Sequence, residues 1–193
     1  TSVVYLHDGE VAAVTPTGYR IRTLANKEID RKTQLFEGSA TAASKGKFEH
    51  FMLKEIHEEP DAVRNSIRGR IGPGGTAHLG GLERAEGKLR NIDRLTICAC
   101  GTAYLASMVG EYMLEEYAGL STEVDYASEF RYRKPVFSPR DAFLVVSQSG
   151  ETADTLAALY EAKQKGVPTL GIVNAVGSTM SRETDAGLYQ HIG

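Results

Sequence analysis

Apolar positions along the chain change their spacing twice. Val3–Leu6, Val11–Val14 and Tyr19–Thr23 are short β-prone runs. His7-Asp8-Gly9-Glu10, between the first two, predicts a hairpin turn joining them. Three short strands cannot form a stable domain by themselves, so residues 1–36 read as the tail of a preceding β-rich domain. The small polar stretch EGSATAASKGK (37–47) reads as a linker. Phe48, Phe51, Met52, Glu55 and Ile56 then follow an amphipathic helical pattern. Pro60 is expected to break this helix, with Asp61-Ala62-Val63 opening a second one that has the proline in its first turn. GPGGTAHLGG (72–81) predicts an irregular loop. Residues 48–90 thus form a helical lead-in.

From Asn91 onward the pattern alternates. LTICA (95–99), TEVDYA (122–127), AFLVVS (142–147), PTLGIVN (168–174) and LYQHI (188–192) predict strands. Ala103–Tyr117 and Thr152–Lys165 predict helices between them. AFLVV is apolar almost without interruption, as expected of a strand covered on both faces. Strand–helix alternation of this kind predicts an α/β fold, a parallel sheet flanked by helices, over residues 91–193.

Composition narrows the function classes. The 193 residues are 41% hydrophobic, enough for a real core, which argues against a mainly disordered chain. With 22 basic and 25 acidic residues the net charge is −3, so a nucleic-acid partner is not expected. No apolar run approaches the length of a membrane span, and the N-terminus lacks the pattern of a signal peptide. The first residue is Thr, and the chain reads as a piece of something longer. The two cysteines, Cys98 and Cys100, are too close along one strand for an ordinary disulfide. Two thiols are also too few for a metal site. Cys98 reads as core, and the compartment as reducing and cytoplasmic.

Chemistry is expected beyond the carboxyl ends of the strands, where open parallel sheets bind ligands. LTICA runs into Cys100-Gly101-Thr102-Ala103, and AFLVV into Ser147-Gln148-Ser149-Gly150-Glu151-Thr152. The second loop offers hydroxyls, an amide, a glycine and a helix N-terminus. That set suits a phosphate monoester, since free N–H groups and the helix dipole attract the anion while hydroxyls complete its hydrogen bonds. The plainer alternative is that Ser149 and Thr152 only cap a helix. No lysine follows the glycine in the pattern of a nucleotide triphosphate loop. Glu151 is open to two roles, ligand contact or a bond to nearby backbone. Arg131, Arg133 and Lys134 read as a solvated basic face. His50 and His57, seven apart, could share one helix face but lack a metal-binding motif.

Four segments in order, FEHFMLKEIHEEP (48–60), CGTAYLA (100–106), SQSGETADT (147–155) and NAVGSTMSRETD (174–185), resemble the glutamine–fructose-6-phosphate aminotransferase family of glucosamine-6-phosphate synthases. The family joins a glutaminase domain to two sugar isomerase (SIS) domains. The resemblance implies that residues 1–36 end the glutaminase, and that 91–193 are the first SIS domain, truncated at its end. It implies an enzyme that hydrolyses glutamine, channels ammonia to fructose 6-phosphate and isomerises the product to glucosamine 6-phosphate. Ser147, Gln148, Ser149 and Thr152 then resemble the residues that hold the sugar phosphate, and Thr102 a sugar contact. No cofactor or metal is implied, and a homodimer through the isomerase part is. Many members have Ser where this chain has Ala103. The family's catalytic cysteine, glutamate, histidine and lysine belong to segments not represented here, so no catalytic residue is expected in this chain and the fragment alone is expected to be inactive. Two alternatives are a stand-alone SIS module of a sugar-sensing regulator and a complete small sugar-phosphate isomerase.

Overall fold

The computed structural model describes residues 2–35 and 44–192. They divide into two compact units, Thr1–Ile56 and His57–Gly193.

The first unit contains β1 (Ser2–Val3), β2 (Glu10–Thr15), β3 (Gly18–Thr23), β4 (Glu28–Ile29) and β5 (Gln34–Leu35). β2, β3 and β4 form an antiparallel meander whose first hairpin closes around Pro16-Thr17. The hairpin expected between the first two runs is absent. β1 instead pairs antiparallel with β5, Ser2 opposite Leu35. The Asp8-Gly9 turn does form, with the Glu10 N–H donating to His7 O at 3.1 Å. The Gly9 carbonyl, however, accepts from Leu24 N, so the turn extends the β2–β3 ladder rather than joining β1 to it. Arg31 ties the unit together, reaching Glu10 Oε1 at 2.6 Å and the Tyr5 carbonyl at 3.1 Å. Ile21 is a buried apolar side chain among its described residues. Of the expected linker, 37–43 lie outside the described residues, and 44–47 are irregular.

Helix α1 (Phe51–Ile67) crosses the division between the units. It is one helix of 17 residues with Pro60 inside, not two helices. Proline removes a single amide donor, the one that would reach Ile56 O, and the bonds on either side carry the helix through.

In the second unit, the segment expected to be a loop holds two 3-10 turns, Pro73–Gly75 and Gly80–Ala85, followed by α2 (Glu86–Leu89). Then come β6 (Arg94–Ala99), α3 (Gly101–Ala118), β7 (Ser121–Tyr126), α4 (Ala127–Phe130), β8 (Asp141–Ser147), α5 (Ala153–Gln164), β9 (Thr169–Val173), α6 (Thr179–Glu183) and β10 (Ala186–Tyr189). The five strands make one parallel sheet in the order β10-β9-β8-β6-β7. The last strand starts two residues earlier than expected, because the small pair Ala186-Gly187 lies against β9.

Both faces of the sheet are covered, as the run AFLVV requires. On one face Cys98, Phe143 and Val145 pack with Phe130 of α4, Leu159 of α5 and Met180 of α6. On the other, Leu95, Ile97 and Ala142 pack with Leu114 of α3. The alternation of inward side chains along β6 and β8 follows the period of two of a strand. The Gly80–Ala85 turn approaches β10 most closely at glycines, with Ala85 and Leu82 packing beside them on Ala186. A Cβ on Gly81 would fall inside the radius of the Gly187 carbonyl oxygen, and one on Gly187 would strike Gly171 O.

Candidate sugar-phosphate site

Sheet order places the site. β6 is the first strand; β7 lies on one side of it and β8 on the other. The connections therefore leave β6 and β8 in opposite directions, and a crevice opens between their carboxyl ends. A recess of about 180 Å³ occupies it, lined by Cys100, Thr102, Ala103, Val146, Ser147, Gln148, Ser149 and Thr152. All five residues expected from the sequence, Thr102, Ser147, Gln148, Ser149 and Thr152, meet on this one recess.

The hydroxyls do not serve as helix caps. Thr152 is the residue before α5, yet its side chain makes no capping bond. Its Oγ1 lies 3.2 Å from Ser147 Oγ instead. Ser147 Oγ also accepts from Gly150 N at 3.1 Å, and Ser149 Oγ from Glu151 N at 3.2 Å. The first-turn amides of α5 have no intrahelical acceptors. With no side-chain cap over them they present partial positive charge to an anion. Helix α3 also begins here, and Cys100 before it makes no side-chain cap.

Gly150 has φ +66° and is pressed against Ser178, so that a Cβ there would collide with the Ser178 hydroxyl. Ser178 lies in the segment between β9 and α6, which braces the loop. Gln148 O accepts from both Asn174 N and Ala175 N at 3.1 Å, and Gly150 O from Met180 N at 3.0 Å. Glu151 does bond to backbone, but to a distant one. Its Oε1 accepts from Thr179 N at 2.7 Å. Sequence reasoning assigned this bracing segment no role. Its signal was the turn-forming Asn174-Ala175-Val176-Gly177-Ser178-Thr179 directly after a buried strand.

Cys98 is fully buried, and burial pushes its thiol well above the ordinary value, with the Asp125 carboxylate adding to the shift. Cys100 is half-buried and faces the recess, and Thr155 Oγ1 approaches its sulfur at 3.8 Å. The basic cluster is not simply solvated. Arg131 pairs with Asp154 at 2.6 Å, and Arg133 pairs with Asp125. No helix among the described residues is long and apolar enough to cross a membrane.

A parallel sheet with a hydroxyl-rich recess at its switch point is the architecture of ligand-binding α/β domains. The family model of the SIS domain matches residues 88–193, more than half of the chain, and the chain belongs to that family. More particularly, it is similar to glutamine–fructose-6-phosphate aminotransferase (isomerizing) of Chlorobaculum tepidum, with 51% identity over 192 residues. The Thermus thermophilus protein of the same name is 46% identical over 193 residues. Each alignment covers 99% of this chain and 31% of the relative. Among solved structures, the C-terminal domain of glucosamine-fructose-6-phosphate aminotransferase from Francisella tularensis superposes with a TM-score of 0.71 at 38% identity. That match covers 78% of this chain and 42% of the other. The chain thus spans about a third of the length of the curated relatives it matches.

Proposed function

We propose that this chain is the sugar-phosphate-binding part of an enzyme that makes glucosamine 6-phosphate from fructose 6-phosphate and glutamine. Residues 1–36 would end its glutaminase domain, 37–47 link, 48–90 lead in, and 91–193 form the first SIS domain. The whole enzyme would be cytoplasmic and homodimeric through its isomerase part. The observation that carries the reading is the meeting of five polar side chains with the uncapped start of α5 at the β6–β8 crevice. Ser147, Ser149 and Thr152 hydroxyls and the α5 amides would hold the phosphate, while Gln148 and Thr102 would face the sugar.

Binding and turnover separate in this chain. The recess is smaller than the roughly 300–1,000 Å³ of a typical small-molecule site. No lysine, arginine, histidine or carboxylate lines it. The phosphate would be held by hydroxyls and helix-start amides, with no full positive charge from a lining side chain. Moving a proton between C1 and C2 of a sugar needs a positioned acid and base, which these walls do not offer. Titration with fructose 6-phosphate should therefore shift the amide resonances of residues 147–152 at millimolar ligand. Incubation with fructose 6-phosphate and ammonia should yield no glucosamine 6-phosphate above the buffer control. An unmoved loop would sink the binding assignment, and product above control would sink the claim that catalysis needs further segments.

A further inference from the structure

The phosphate loop is held from behind by a second loop, and a side chain that takes part in that brace is acidic. Residues 174–180 hold 148–151 at three oxygens, Gln148 O, Gly150 O and Glu151 Oε1. Two are backbone oxygens that any sequence supplies. The third exists only because residue 151 carries a long acceptor. A carboxylate two residues from Ser149 and one from Thr152, the proposed anion ligands, is, on charge alone, in the wrong place, since it repels the ligand. Its bond to Thr179 N gives it a different task. It ties the turn at Gly150-Glu151 to the start of α6, which fixes where the Ser149 hydroxyl and the α5 amides point.

We propose that Glu151 is a positioning residue: by accepting from Thr179 N it holds loop 147–152 in its ligand-ready shape, at an electrostatic disadvantage to the anion. The proposal rests on the sugar-phosphate reading above and adds a residue to it. Charge and positioning have opposite signs here, so two substitutions separate them. Glu151→Gln keeps an acceptor for Thr179 N and removes the charge. Glu151→Ala removes both. If Glu151 mattered only through charge, both variants would bind the anion more tightly than the wild-type chain. If it positions the loop, the glutamine variant binds as well as wild type or better, and the alanine variant binds about five- to tenfold more weakly.

The experiment uses the full 193-residue chain and two readouts. Amide hydrogen exchange without ligand is followed at Gly150, Glu151, Thr179 and Met180. Fructose 6-phosphate, and inorganic phosphate alone, are then titrated against the amide spectrum. Expected are faster exchange at these four positions in the alanine variant, near wild-type exchange in the glutamine variant, and the affinity order just given. Unchanged exchange in the alanine variant, or alanine-variant binding equal to or tighter than wild type, overturns the proposal. Failure of the wild-type chain to bind either probe overturns the sugar-phosphate reading itself and the proposal with it. That outcome is recognised without either variant.

Discussion

Ser147 and Thr152 share one hydrogen bond across the mouth of the recess, and Ser149 accepts from the amide two residues on. The Ser147 and Ser149 oxygens accept from backbone amides, and the Ser149 hydroxyl proton is free to turn toward an anion. A hydrogen bond to a charged group contributes roughly 1.5–3 kcal/mol. Ser149→Ala or Thr152→Ala should therefore weaken fructose 6-phosphate binding by about tenfold or more, measured by the same amide titration, with little change in melting temperature. The thiols make a second contrast. Burial keeps Cys98 protonated at ordinary pH, and only a thiolate alkylates. Iodoacetamide at pH 8 should label Cys100 in the folded chain and reach Cys98 only after unfolding, as peptide mass mapping would show. These residues were legible in the sequence because crowded hydroxyls at a strand end are chemically unusual. Glu151 was singled out too, but the backbone it bonds lies 28 positions away and not nearby, a distance no local pattern spans.

At the scale of elements, what the sequence revealed depended on burial. β6 and β8 were found within a residue of their ends, because strands covered on both faces read as unbroken apolar runs. Strand β1 was misread, since two-residue pairings with a strand more than thirty positions on leave no periodic trace. Pro60 was misread for another reason. Its effect on a helix was taken as all-or-none, whereas it deletes one bond in 17 residues. The remaining helix still bears that loss. Pro60→Ala should restore a donor to Ile56 O and slow amide exchange across residues 57–64. A variant that exchanged faster there would show that the proline stiffens the helix.

For the whole molecule, the sheet order has the largest effect. Five parallel strands with the first one interior bring two loops together that are 45 residues apart along the chain, so binding depends on the assembled sheet and not on either loop. Alternation of strands and helices predicts the layers but not this order, which is fixed by which helix covers which face. The polar loops were nevertheless found, because any order leaves the carboxyl ends of parallel strands on the same edge.

The glycine contact between the Gly80–Ala85 turn and β10 bears on where this domain begins. Likeness to other SIS domains starts at residue 88, but the mechanical boundary lies upstream of it. Leu82 and Ala85 close a small apolar cluster over Leu170 and Ala186, reached only because nothing larger than hydrogen stands between Gly81, Gly187 and Gly171. A chain cut at residue 88 keeps every strand of the parallel sheet and loses that cover. With the buried Ala85 and the half-buried Leu82 removed at roughly 1–2 kcal/mol each, its melting temperature should fall by on the order of 10 °C relative to a chain cut at residue 70, a difference calorimetry would resolve. An ancestral module defined by shared sequence and the smallest piece that stands alone are thus different objects in this protein, separated by a strap whose glycines have no chemical role in the site.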